Sequence, residues 1–333
     1  MRTTWTFHSA QSLVFGRDAV HQIGDIAQKI RAKRVFVVTD HTLIQAGVFE
    51  PVHASLSNAG ISIGVLEGGQ AEPSLKLADE CAHAARQFGP QAVLGLGGGS
   101  NMDVAKMTAI LLVHGGRAAD YIGDSRVPGP VLPLICMPTT AGTGSEVTHA
   151  AAFTDTDNQV KTGLLSNYLR PRVAVVDPML TVSCPPKVTA DSGIDALTHA
   201  IEAYTAVDNA LFPLLPGEFS GYQGRHPLGD CLAERAIQLC GTHLRTAVKH
   251  GSDLDAREGM ALAATIAGLS FSNVGVALVH AGLGETERAL AWLESAYEEK
   301  SHWLVWLNLD PRWDRLRDEP RFQALVKKIG LIK

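Results

Sequence analysis

No stretch of the 333-residue chain approaches the ~18 uninterrupted apolar residues that a bilayer-spanning helix needs, so a helical membrane anchor is not expected. Runs of lysine and arginine are also missing. With 29 basic against 34 acidic residues and a formal net charge of −5, neither nucleic acid nor an anionic membrane is an expected partner. Cysteine is scarce and scattered: Cys81, Cys136, Cys184, Cys231 and Cys240 never form a CxxC pair. That excludes a disulfide framework or a cysteine zinc cage and points to reduced thiols in the cytoplasm. The opening residues, Met1 to His8, have no apolar core of the kind a cleaved leader carries. What is present is a 46% hydrophobic, 19% charged chain, which excludes disorder as the dominant state. Its length exceeds what one compact core usually holds and favours two domains.

Glycine, 32 residues in all, follows β-type runs. Arg34 to Asp40, Gln91 to Gly99, Val131 to Pro138 and Arg172 to Asp177 read as buried strands, with helical patterns between them at Leu75 to Phe88 and Met102 to Val113. Continuous apolar strands alternating with helices predict an α/β fold with a doubly wound parallel sheet over residues 1–178. From 179 to 281 the pattern turns helical, at 186–204 and 228–281, interrupted by a Gly/Pro-rich loop from Phe212 to Gly229. A third texture fills 282–333. It holds Trp292, Trp303, Trp306 and Trp313, four of the five tryptophans, with a helical apolar stripe at Ala289, Leu293, Ala296 and Tyr297. A short helix is predicted around Pro320 to Ile329.

Four sets of residues can do chemistry. Gly97 to Asp103 sits between a strand and a helix, where glycines let backbone amides approach a phosphate and the helix N-terminus favours negative charge. A tight turn that needs glycine for its conformation is the alternative. Asp40 ends the first strong strand; it is placed either to accept from a ribose 2′-hydroxyl, which favours NAD over NADP, or to cap a following helix. Thr139 to Glu146 packs hydroxyls and glycines into one turn, suited to a polar ligand or to a capped helix start. Asp195 and His199, at i,i+4, put a carboxylate and an imidazole on one helix face, as a cation site or a surface pair requires. His280 joins them as a third candidate, or is a core histidine.

Gly97 to Lys106, the Thr139-to-Glu146 turn, Asp195 to Tyr204 and Val279-His280-Ala281 together resemble the signatures of the iron-containing alcohol dehydrogenase family, in the family's order over residues 1–281. Glu72-Pro73 and Tyr222 to Pro227 resemble the hydroxyacid-oxoacid transhydrogenase branch. The resemblance implies a dinucleotide-binding domain over 1–178 and a helical domain over 179–281 that holds one Fe²⁺ or Zn²⁺. It implies that Gly98, Gly99, Ser100, Asn101 and Met102 face the pyrophosphate. Thr139, Thr140 and Thr143 would line the nicotinamide half, with Lys161 also touching the cofactor. Asp195, His199 and His280 would be metal ligands. The implied activity is hydride transfer between NAD and a small alcohol, aldehyde or hydroxy acid, in a homo-oligomer. The alternatives are a transhydrogenase with retained cofactor and a silent nucleotide-binding protein with a docking tail.

The family's fourth ligand, a histidine fourteen positions beyond His280, falls here on Glu294, a substitute carboxylate or a solvated helix face. The tail, 282–333, resembles the terminal segment of tetratricopeptide-repeat proteins, and a single unit of that kind has to dock on something. An incomplete helical domain is expected to expose apolar surface over 228–281.

Overall fold

The computed structural model describes residues 3–206, 208–210, 212, 221–275, 286–298 and 316–329. Six strands build the main sheet: β1 (Ser12–Phe15), β2 (Arg34–Val38), β3 (Ser62–Leu66), β4 (Ala92–Gly97), β6 (Leu134–Pro138) and β9 (Val173–Val176). They run in the order β1-β9-β6-β4-β2-β3, every pair parallel. Alternation along each strand feeds two cores. Val35, Val37, Leu94 and Leu96 pack with α1 (Ile23–Lys29) and α3 (Phe49–Asn58) on one face. Phe36, Val38 and Val93 pack with α4 (Leu75–Phe88) and α5 (Gly99–His114) on the other. The sheet is therefore doubly wound, as its unbroken apolar strands predict. Burial on both faces leaves all six residues of β4 buried.

A second sheet, β5-β8-β7, joins β5 (Gly123–Asp124) to the antiparallel pair β7 (Ala150–Asp155) and β8 (Val160–Leu165). The sequence pattern did not reveal β1, β3, β7 or β8. Of these β1 and β3 are partly exposed edge strands, and β7 opens on three alanines, weak strand formers. α5 begins at Gly99, three residues before the expected Met102, because its first turn is built from glycine and polar residues.

Beyond β9 the described elements are helices, first α6 (Pro186–Tyr204), α7 (Pro227–Lys249) and α8 (Leu254–Val274). The single pattern expected over 228–281 is split at 250–253, where Asp253 caps α8 by accepting from the Ala256 N–H at 2.9 Å. Alanines dominate the three-helix contact (Ala196, Ala200, Ala236, Ala247, Ala263, Ala267), which lets the axes approach closely. Exposed apolar surface was expected here. Among the described residues from 228 onward, Leu228 alone is a large exposed hydrophobe, because α8 is sheathed by α6, α7 and the loop after β6.

The first residues cross to this helical part. Trp5 stacks on His226 at 4.3 Å, and Gln223 pairs with both the N–H and the C=O of Thr6. Asn273 does the same for His8. A short helix, α2 (His41–Gln45), follows β2, and in the tail α9 (Thr286–Glu298) and α10 (Pro320–Ile329) pair with each other, burying Ala289, Leu290, Leu293, Phe322, Leu325 and Val326.

Candidate functional site

After β3 the chain returns to the other side of β2 to form β4, so the strand order reverses between β2 and β4. In open α/β sheets that switch point opens a crevice at the carboxyl ends of the strands. Asp40 stands there at the tip of β2, the Gly97–Asn101 turn at the tip of β4, and Thr139 at the tip of β6, its N–H donating to Gly97 O at 3.0 Å.

Gly97 has φ +148°, and a Cβ on it would lie 2.1 Å from Asn101 Nδ2, so only glycine fits. Gly98 is the N-cap of α5 and makes no side-chain cap; a Cβ there would meet nothing closer than Thr140 Oγ1 at 3.7 Å. Room is thus left beside Gly98 at the positive end of a sixteen-residue helix, where an anion is favoured. Ser100 lies half-buried in that first turn. Asn101 instead turns back, donating to Asp40 Oδ2 (2.8 Å) and Leu96 O (3.1 Å). Met102 is a core side chain. Asp40 caps α2, Oδ1 accepting from the Leu43 N–H at 3.0 Å, while Oδ2 accepts from Asn101 at the crevice. Lys161, on β8, pairs with Glu72 at 2.7 Å, both side chains largely exposed.

The Thr139–Glu146 turn is wedged between three helices. Thr143 lies against Gly99 of α5, where a Cβ would come within 2.9 Å. Gly142 meets Ser192 of α6, and Gly144, at φ +62°, sits backbone-to-backbone on Gly268 of α8. Thr140 and Thr143 thus border the space above Gly98 and Gly99.

Beneath this turn lies a buried polar cluster that the sequence reading did not single out. Lys106 Nζ, fully buried, donates to Ser145 Oγ (2.8 Å), Thr148 Oγ1 (3.3 Å) and Ala150 O (2.7 Å). Ser145 Oγ donates onward to Asp103 Oδ1 at 2.8 Å, and Asp103 Oδ2 accepts from the Ala152 N–H at 2.9 Å. Burial drives the Lys106 ammonium down and the Asp103 carboxyl up from their usual ranges, and each opposes the other's shift. Glu146, buried beside Thr265 Oγ1 at 2.9 Å, is likewise pushed up by desolvation. The available signal was an Asp-x-x-Lys pair inside an otherwise apolar helix, where unpaired charge is rare.

On α6, Asp195 Oδ1 and His199 Nε2 stand 3.7 Å apart, and the His199 ring stacks on Phe271 at 4.3 Å. Two ligands each about 2.1 Å from one ion are separated by at most about 4.2 Å, so the pair fits a shared cation. His199 Nδ1 is buried without a hydrogen-bond partner. Burial lowers the imidazole's pKa, Asp195 partly opposes this, and the Gly142 backbone lies alongside; the neutral, ligand-competent form is favoured. His280 lies outside the described residues. Glu294 does not stand free as a ligand: Arg321 of α10 holds both its oxygens, at 2.9 and 2.7 Å. Among the described residues no group of three or more metal-binding side chains converges.

Comparison with known proteins matches residues 10–178 to the family model "Iron-containing alcohol dehydrogenase" and 219–283 to "Fe-containing alcohol dehydrogenase family, C-terminal". The NAD-dependent methanol dehydrogenase of Bacillus methanolicus is 38% identical over 267 residues, which cover 80% of this chain and 66% of that protein. The mitochondrial hydroxyacid-oxoacid transhydrogenase of Rattus norvegicus is 36% identical over 288 residues, 84% of this chain and 62% of the relative. A crystal structure of 1,3-propanediol oxidoreductase superposes with a TM-score of 0.77 at 29% identity, over 98% of this chain and 85% of that one. The matched stretch spans about two thirds of the curated relatives' length.

Proposed function

The chain belongs to the iron-containing alcohol dehydrogenase family, and on that premise we propose that it is a metal-dependent oxidoreductase moving hydride between NAD and a small alcohol, aldehyde or hydroxy acid. One observation carries the reading: the Thr139–Glu146 turn rests on the α6 face that bears the proposed metal ligands, through Gly142 against Ser192 and beside His199. A nicotinamide lined by that turn and an alcohol oxygen held at Asp195 and His199 would then be neighbours, as hydride transfer requires.

In this reading Gly98, Gly99, Ser100 and Asn101 present the start of α5 to the pyrophosphate, with Met102 acting through its backbone alone. Asp40 accepts from the adenosine ribose, and its charge repels a 2′-phosphate, favouring NAD. Thr139, Thr140 and Thr143 border the nicotinamide half, and Lys161 reaches the cofactor by leaving Glu72. Asp195, His199 and His280 hold Fe²⁺ or Zn²⁺. The bound metal supplies Lewis acidity at the alcohol oxygen, and the nicotinamide supplies the hydride acceptor. His199, kept neutral by burial, offers a lone pair at neutral pH, while Phe271 against its ring limits water.

The likeness to the transhydrogenase of Rattus norvegicus supports a second reading, in which the nicotinamide stays bound and passes hydride between a hydroxy acid and an oxo acid. The pairing of α9 with α10 supports a repeat-like tail at 282–333. The exposed Leu13 on edge strand β1 supports a homo-oligomer, and the unpaired cysteines support a cytoplasmic one.

Elemental analysis after anaerobic, chelator-free purification is the direct test. We expect about one Fe or Zn per chain, lost in His199→Ala, whose affinity should fall by more than the ~100-fold that removing a ligand's supporting partner costs. Equal metal in both proteins would remove His199 as a metal ligand. Turnover with free NAD separates the dehydrogenase from the transhydrogenase.

A further inference from the structure

We propose that Lys106 is a positioning residue for the nicotinamide half of the site: from α5 it clamps the Ser145–Ala150 segment and so sets the threonine turn above Gly98 and Gly99. This rests on the dinucleotide reading above and deepens it.

The geometry is complete on the lysine's side. An ammonium has three donors, and all three are used, on Ser145, Thr148 and Ala150 O. One helical turn earlier, Asp103 takes the Ser145 proton on one oxygen and the Ala152 N–H on the other. Two residues at i,i+3 on one helix thereby fix both the end of the turn and the start of β7. Ser145 is the joint, accepting from Lys106 and donating to Asp103. Buried charges of this kind are weak evidence for stability, since an apolar side chain of similar length fills the same space at less desolvation cost. What an apolar side chain cannot do is dictate where three separate acceptors stand.

The clamp acts on one side of the crevice only. Asp40 and Asn101 hold each other and are anchored by Leu43 N and Leu96 O, with no bond to Lys106, Asp103 or Ser145. Loosening the clamp should therefore disturb the nicotinamide end more than the adenosine end that Asp40 and Asn101 hold.

The experiment is a pair of titrations on the full chain: NADH followed by its fluorescence, and ADP-ribose, which lacks nicotinamide, by competition. Lys106→Met should weaken NADH binding about tenfold or more and change ADP-ribose by less than about threefold. Ser145→Ala removes only the joint, should shift NADH the same way by a smaller factor, and decides the question if Lys106→Met does not fold. Equal losses for both ligands, or no loss for either, would overturn the positioning role while leaving the dinucleotide site in place. A wild-type chain that binds neither ligand overturns both.

Discussion

His149 shows how much a single side chain can be asked to tolerate. It is buried, its Nδ1 lies 3.3 Å from Arg170 Nη2, and its Nε2 has no partner. Tyr222 meets its ring edge-on at 4.8 Å, and a Cβ at Gly221 would come within 2.3 Å of Nε2. Burial, then Arg170, Lys106 and His8, push its pKa well below 6.5. The folded chain thus resists a proton that the unfolded chain accepts. His149's contribution is fully present above pH 6.5 and is lost as the pH falls below it, at up to about 1.4 kcal/mol per pH unit. His149→Gln, which cannot titrate, should flatten the fall in Tm between pH 6.5 and 5; an unchanged slope would assign the acid sensitivity to other groups. The same scale explains why Asp40 was ambiguous in sequence. A carboxylate has two oxygens, and here one caps a helix while the other accepts from Asn101.

At the scale of elements, the loop after β6 matters more than its length suggests. It touches α5, α6 and α8 through residues too small to keep them apart, and Gly144 is its tightest point. An alanine there would need a left-handed backbone at φ +62° and would place its Cβ 2.6 Å from Gly268 Cα. Gly144→Ala should cost about 2–4 kcal/mol and lower Tm by roughly 3–6 °C, measurable by calorimetry. A neutral result would mean that α8 can move away, and with it the tight contact inferred between this turn and the helices. The strands and helices that sequence periodicity found, among them β2, β4, β6, β9, α4, α5, α6, α9 and α10, are those with a sustained apolar pattern. Those it missed, β1, β3 and the β7–β8 pair, draw their order from neighbours.

Over the whole molecule, the N-terminal residues join the parallel sheet to the helices by pairing their backbone with two amide side chains. Asn273 is fully buried and serves His8 N–H, His8 C=O and Leu269 C=O. Asn273→Ala leaves the two His8 groups without these partners, at a cost of about 1–3 kcal/mol. Chymotrypsin should then cut beside Trp5 and Phe7 faster than in the wild type, and equal rates would show that Gln223 and the Trp5–His226 stack suffice. The tail has its own logic. Arg321 bridges Glu287 and Glu294, so the carboxylate at the expected ligand offset is occupied in holding α9 to α10.

The sequence by itself determined the family, the parallel sheet, the i,i+4 spacing of Asp195 and His199, and the glycine turn before α5, because each depends on residues close along the chain. Tertiary structure alone decided that β2, β4 and β6 end side by side, that Gly142 meets Ser192 across fifty residues, and that Lys106 is satisfied by acceptors some forty residues away. Those contacts join segments whose local patterns carry no trace of each other. Close packing, in which only glycine or a fully bonded ammonium fits, brings them together.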